Sequence, residues 1–206
     1  MKLSRRTILQ GAGSLPFAVA SFRMGALAQT PPAAGSSQVP PILFVHGNGD
    51  YDALWMTTLW RMESNGIPRE RMLAINFTDP NARDDDTVEQ ANRSSSEDQR
   101  RELAAAIAEL KRRTGAARVA LVGSSRGGYA IRNVIKNGGA GDVSHAVLCG
   151  TPNHGVFAID ALLGSEFNGR GAFLRGQNEG ESEVTPGPSR IASRSCRRPV
   201  SSSAVW

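Results

Sequence analysis

Apolar and polar positions alternate in a recurring order through the middle of the chain. PPILFVHG, Pro40 to Gly47, is an almost unbroken apolar run, which predicts a strand covered on both faces, as central parallel strands are. From Asp52 onward, Trp55, Leu59 and Met62 recur at helical spacing until Asn65-Gly66 ends the pattern. RMLAINF, Arg71 to Phe77, predicts a second buried strand, and a polar loop, DPNARDDDTVEQANR, follows it. Ser94 with Glu97 three residues later is a capping pattern, and it opens a helix whose apolar face holds Leu103, Ile107 and Leu110. Glu97 with Arg101 and Glu109 with Arg113 are placed to pair on its outer face.

ARVALVG, RGGYAIRNVIKN and SHAVLCG then predict a third strand, a third helix stopping at Gly138-Gly139, and a fourth strand. Parallel neighbours need a crossover between them, and these helices supply it. The fold class is therefore α/β, a mostly parallel sheet in a three-layer α/β/α arrangement. After Gly150 the apolar clusters of TPNHGVFAIDALLGSEFNGRGAFLRG suit a helix or part of a lid, but no strand pattern is visible. From Gln177 the periodicity is lost, and PSRIASRSCRRPVSSSAVW is dominated by Ser and Arg, a composition that cannot bury a core. The organisation expected is a leader at 1–28, a linker at 29–38, one α/β domain at 39–175 and a disordered tail at 176–206.

Charge alters the picture less than the pI near 9.9 suggests. Lys2, Arg5, Arg6 and Arg23 at one end, and Arg190, Arg194, Arg197 and Arg198 at the other, are accompanied by no acid. Setting those eight cations aside from the net +5 leaves residues 29–183 at −3. The folded part is not a basic surface, and nucleic-acid binding is not expected of it; an RNA-binding tail would lack a recognised module and interleaved aromatics. The leader has a basic start, an apolar middle and a small-residue end at Ala26-Leu27-Ala28, the layout of an export signal. Arg5-Arg6 in SRRTIL resembles the twin-arginine type, with a plain secretory signal as the alternative. A transmembrane anchor is not expected, because the uncharged run from Thr7 to Phe22 is shorter than the ~20 residues that cross a bilayer. Cys149 and Cys196 form neither a disulfide framework nor a metal cluster, and Asp84-Asp85-Asp86 reads as solvated carboxylates, so no metal or cofactor is expected.

The chemistry centres on Gly123-Ser124-Ser125-Arg126-Gly127. This GxSxG sits between a strand and a helix, the context that separates a nucleophile elbow from a chance match. Its rivals are a Gly/Ser turn without chemistry and a phosphate-binding loop, and the latter lacks both the lysine and the glycine spacing. The backbone N–H of Arg126 would be one oxyanion donor, and FVHGNG after the first strand would supply a second from Asn48, by its main chain or its amide. Strand plus HGN, then GSSRGG, then CGTPNHGV resembles the α/β-hydrolase fold over Pro40 to Phe157. Among its branches the pattern is similar to exported bacterial lipases, esterases and polyhydroxyalkanoate depolymerases.

That resemblance implies a serine hydrolase acting on carboxylic esters, with a lipid, a short ester or a polyester as substrate and no cofactor. The residue before Ser125 is Ser124, where lipases commonly have His. The family order Ser, acid, His meets a further difficulty, since no histidine follows His154. His46 reads as a support of the oxyanion loop, His145 as structural within a strand, and His154 as part of the turn after it. The triad histidine is unassigned, and Asp160 is the candidate acid in a variant geometry. The expectation is a chain whose C-terminal part is incomplete, through truncation or a frameshift, with a catalytically inactive hydrolase-like fragment as the alternative. Oligomeric state is not legible. N-terminal sequencing of exported material is expected to start near Gln29, and retention of Met1 would refute the leader.

Overall fold

The computed structural model describes residues 39–180 and 191–192; the leader, the linker and most of the tail lie outside the described residues. The first strand, β1 (Ile42–Val45), is buried along its whole length. A 3-10 turn (Asp52–Trp55) and helix α1 (Met56–Ser64) lead to β2 (Met72–Ala74). Next come α2 (Ser96–Thr114), β3 (Val119–Ser124), α3 (Arg126–Lys136) and β4 (Val143–Cys149). A short α4 (Ala172–Asn178) and a two-residue β5 (Ile191–Ala192) complete the described elements.

The strands run in the order β2-β1-β3-β4-β5, and every pairing is parallel. Strand side chains alternate between two covered faces. Leu43 and Val45 join Val119, Leu121, Ala146 and Leu148 against Leu103, Ile107 and Leu110 of α2 and Ile131 and Val134 of α3. On the opposite face Ile42, Phe44 and Met72 pack against Trp55 and Leu59. These clusters are the two interfaces of a three-layer α/β/α fold. Each fully buried Leu or Ile contributes about 1.5–3 kcal/mol, which is why the predicted apolar positions decide the layering. The second face is not covered throughout: His145, Val147 and Cys149 of β4 are exposed.

β5 was not foreseen. Ile191 pairs with Ala146 and Ala192 with Val147, inside the stretch expected to lack strands. Two residues carry no periodicity, so only the exposed edge of β4 could specify them. The start of α2 also differs from expectation. Ser95, not Ser94, is the N-cap, and Asp98, not Glu97, completes the capping box. Ser94 is taken elsewhere, its Oγ donating to the Asp79 carbonyl at 2.6 Å. The surface pairs fall at i,i+3, as Glu97–Arg100, Asp98–Arg101 and Glu109–Arg112, instead of the i,i+4 pairs expected.

The sheet order fixes where a site can form. From β1 the chain moves to β2 on one side, whereas from β3 it moves to β4 on the other, so the direction reverses between adjacent strands β1 and β3. The loops leaving their carboxyl ends diverge and open a crevice at that switch point.

Burial raises the Asp98 carboxyl, but bonds from the Ser95 N–H and Oγ and from Arg101, with the charge of Arg83, outweigh it and bring it from 3.8 down to about 2. A depressed folded value contributes stability above pH 3.8 that is lost as the pH falls toward 2. Asp98→Asn is therefore expected to flatten the pH dependence of thermal unfolding in that window. Ser95→Ala is expected to cost about 1 kcal/mol in urea titration at neutral pH.

Candidate functional site

β3 and α3 meet at Ser125, whose backbone lies at φ 49° and ψ −119°. A positive φ is strained for a residue with a side chain, and one residue held there reverses the chain direction between strand and helix. The turn is braced from β4. The Ser125 N–H donates to the Cys149 carbonyl at 2.9 Å, and the Ser125 carbonyl accepts from the Gly128 N–H and from Thr151 Oγ1, each at 3.0 Å. The Tyr129 hydroxyl donates to the Pro152 carbonyl at 2.6 Å, so the Thr151-Pro152 turn is bonded once to Ser125 and once to α3.

The glycines that follow are required by crowding. A Cβ on Gly127 would lie 2.5 Å from the Val45 carbonyl oxygen, and one on Gly128 would overlap Thr151 Oγ1. Helix α3 therefore starts hard against the ends of β1 and β4. The loop after β1 reaches the same point: a Cβ built on Gly47 would be 3.1 Å from Ser125 Cβ and 3.7 Å from its Oγ. The two predicted motifs thus converge at the switch point.

As the first residue of α3, Arg126 carries a backbone N–H outside the helical ladder. Asn48 is exposed, and among the described residues its N–H has no acceptor. Its amide oxygen accepts from the Ala82 N–H at 2.7 Å. The Asn48 side chain thus anchors the loop through its amide oxygen. His46 is fully buried. Its Nε2 accepts from the Phe77 N–H at 3.2 Å, which puts the proton on Nδ1, 2.9 Å from the Gly47 carbonyl that accepts it. Both ring nitrogens are engaged in holding the loop, as expected of a support.

The remaining predicted residues do not join this cluster. His145 lies within β4, the strand expected to hold it, and its side chain is exposed on the uncovered face of the sheet. His154 is exposed after the turn. Asp160 follows a 3-10 turn (Phe157–Ile159), and its carboxylate lies 3.4 Å from Arg170 Nη2 with no imidazole among its contacts. Among the described residues no histidine bonds to Ser125 Oγ, and no group of His, Cys, Asp and Glu is arranged to hold a metal. The triplet expected to be solvated is instead partly built into the structure. Asp85 accepts from the Thr87 N–H and Oγ1, and Asp86 from the Ser96 N–H and Oγ at the start of α2.

The Arg126–Glu166 pair is not legible in the sequence. Both side chains are almost completely removed from water and bond through Nε and Nη2. Burial pushes the Glu166 carboxyl up, against the pull of the Arg126 charge. It also pushes the Tyr129 hydroxyl up, and the Glu166 charge adds to that. Forty residues separate the partners, so no local spacing announces them.

No curated protein sequence matches the chain significantly. Among solved structures it is similar to Bacillus licheniformis lipase BlEst2. The match to the propeptide form is 26% identical over 57% of this chain and 23% of that one, TM-score 0.42. The match to the mature form is 21% identical over 68% and 58%, TM-score 0.48. Aspergillus fumigatus lipase B is 14% identical over 73% of this chain and 36% of its own, TM-score 0.51, which supports the fold. The chain spans less than two thirds of the length of each of these proteins. The sequence pattern of the palmitoyl protein thioesterase family matches residues 41–194. With that match covering most of the chain, on a sheet of the α/β-hydrolase fold, the protein belongs to the palmitoyl protein thioesterase family.

Proposed function

We propose that this protein is a serine hydrolase of carboxylic esters in which Ser125 is the nucleophile. The observation that carries the reading is the strained Ser125 backbone at φ 49° and ψ −119°, with the Gly47 loop against its side chain. Ser125 Oγ attacks the acyl carbonyl, its proton passes to a base, and the carbonyl oxygen takes the negative charge. The N–H groups of Arg126 and Asn48 receive that oxyanion. The adduct then collapses by breaking the ester C–O bond, and the alcohol leaves with the proton returned by the base. Water hydrolyses the acyl-serine to the free acid and regenerates the Ser125 hydroxyl. The family's description adds long-chain acyl thioesters to the oxygen esters as substrates to be tried. The signal-like leader supports export by a twin-arginine route, and no helix among the described residues is long and apolar enough to cross a membrane.

The base is the weak point. His46 is committed to the loop through both nitrogens, and His145 and His154 are exposed without a bond to Ser125. Those placements favour a second reading, a hydrolase-like protein that keeps the elbow without turnover. A serine hydroxyl without an imidazole is a poor nucleophile at neutral pH.

A fluorophosphonate probe separates the two. Labelling that is lost in Ser125→Ala is expected under the first reading, together with hydrolysis of p-nitrophenyl or acyl-thioester substrates. A folded protein that takes up no probe would establish the second. Gly128→Ala forces Thr151 away from the elbow, so it is expected to lower the melting temperature and to reduce labelling by at least about tenfold.

A further inference from the structure

The two backbone N–H groups assigned to the oxyanion stand on separate elements, the loop after β1 and the start of α3, yet both elements are tied to one short stretch, Pro80 to Ala82. On the Asn48 side, the Gly49 N–H donates to the Pro80 carbonyl at 3.1 Å and the Ala82 N–H donates to Asn48 Oδ1 at 2.7 Å. On the Ser125 side, Arg126 Nη1 donates to the same Pro80 carbonyl at 3.1 Å. Ser94 locks the stretch in place, its N–H donating to the Asn81 carbonyl at 2.8 Å. Arg126 also donates to Ser94, to Oγ at 3.0 Å and to the carbonyl at 2.8 Å. The other edge of the guanidinium is met by Glu166 through Nε and Nη2.

Packing α3 on the sheet does not require a buried cation, and removing a charge from water is costly. A guanidinium has a use that an apolar side chain lacks. Its planar fork fixes distances to several acceptors at once. Here those acceptors lie on the segment that also holds the Asn48 loop. We propose that the Arg126 side chain, oriented by Glu166, is a positioning residue that sets the separation of the Asn48 and Arg126 N–H groups through the Pro80 carbonyl, which accepts from both the Gly49 N–H and the Arg126 guanidinium. Its consequence for catalysis rests on the hydrolase reading. The frame itself does not, because it is made of bonds that exist without substrate. Oxyanion donors act only when both lie within hydrogen-bond reach of one oxygen, so a frame that loosens their spacing weakens them without altering either donor.

The test uses the uniformly 15N-labelled full chain, with Glu166→Gln, Ser94→Ala and Arg126→Lys compared with the parent. Amide exchange is followed at Gly49 and Ala82 on the frame and at Leu110 in the core of α2. Probe labelling of Ser125 is measured in parallel. Exchange at Gly49 and Ala82 is expected to rise about tenfold or more while Leu110 is unchanged. The maximal labelling rate is expected to fall by a similar factor with probe affinity retained. Arg126→Lys keeps the charge but not the fork, and is expected to behave like Glu166→Gln. Unchanged exchange at Gly49 and Ala82 in a folded variant would overturn the proposal, as would a rise shared equally with Leu110. If Glu166→Gln fails to fold, Ser94→Ala decides, since it removes one acceptor without stranding a charge. If the parent takes up no probe, the hydrolase reading fails, and the exchange measurement still decides the frame.

Discussion

The backbone of Ser125 is the constraint around which the rest of the structure is arranged. Holding a non-glycine residue at φ 49° costs on the order of 1–3 kcal/mol, so neighbouring elements must over-determine it. They do so from two strands. The Val45 end of β1 leaves no room for a side chain at Gly127, and the turn after β4 leaves none at Gly128. That turn also supplies the hydroxyl of Thr151 to the Ser125 carbonyl, and Cys149 accepts the Ser125 N–H. The carboxyl ends of β1, β3 and β4 are thereby brought to one point, and the crevice at the switch between β1 and β3 becomes a site.

Around that point polar groups are buried with partners, as groups taken out of water require. His46 joins the loop after β1 to the segment that follows β2, at Phe77. Arg126 and Glu166 carry opposite charges into the same interior, where each offsets the other's cost, although a buried pair of this kind adds little net stability. What the pair provides is geometry, since the guanidinium meets three separate stretches of chain at once. At the far end of α3, Lys136 and Arg132 play a related part by donating to the carbonyls at the end of α4.

The elbow, the loop after β1 and the turn after β4 occur in one sheet in the order of an α/β-hydrolase, and the family match spans all three. Of the chemistry the proposed hydrolase needs, the described residues place the Ser125 hydroxyl beside the loop after β1. The imidazole is the group they do not present, because the buried histidine is already bonded at both nitrogens and the other two are exposed.

The sequence by itself determined the four principal strands, the three helices between them, the parallel orientation of the strands and the place of Ser125 between a strand and a helix. Each of these rests on local rules: period-two or period-3.6 burial, glycine where backbones crowd, and the need of parallel strands for a crossover. The cap of α2 was misplaced by one residue for a non-local reason. Ser94 and Ser95 are equivalent by pattern, and only the Asp79 carbonyl and Arg126, packed beside Ser94, leave Ser95 to do the capping. The two-residue β5, the role of the Asn48 side chain as an acceptor, and the Arg126–Glu166 pair were likewise settled by tertiary structure alone. Their partners lie tens of residues apart and share no spacing, so only the packed fold brings them within hydrogen-bond distance.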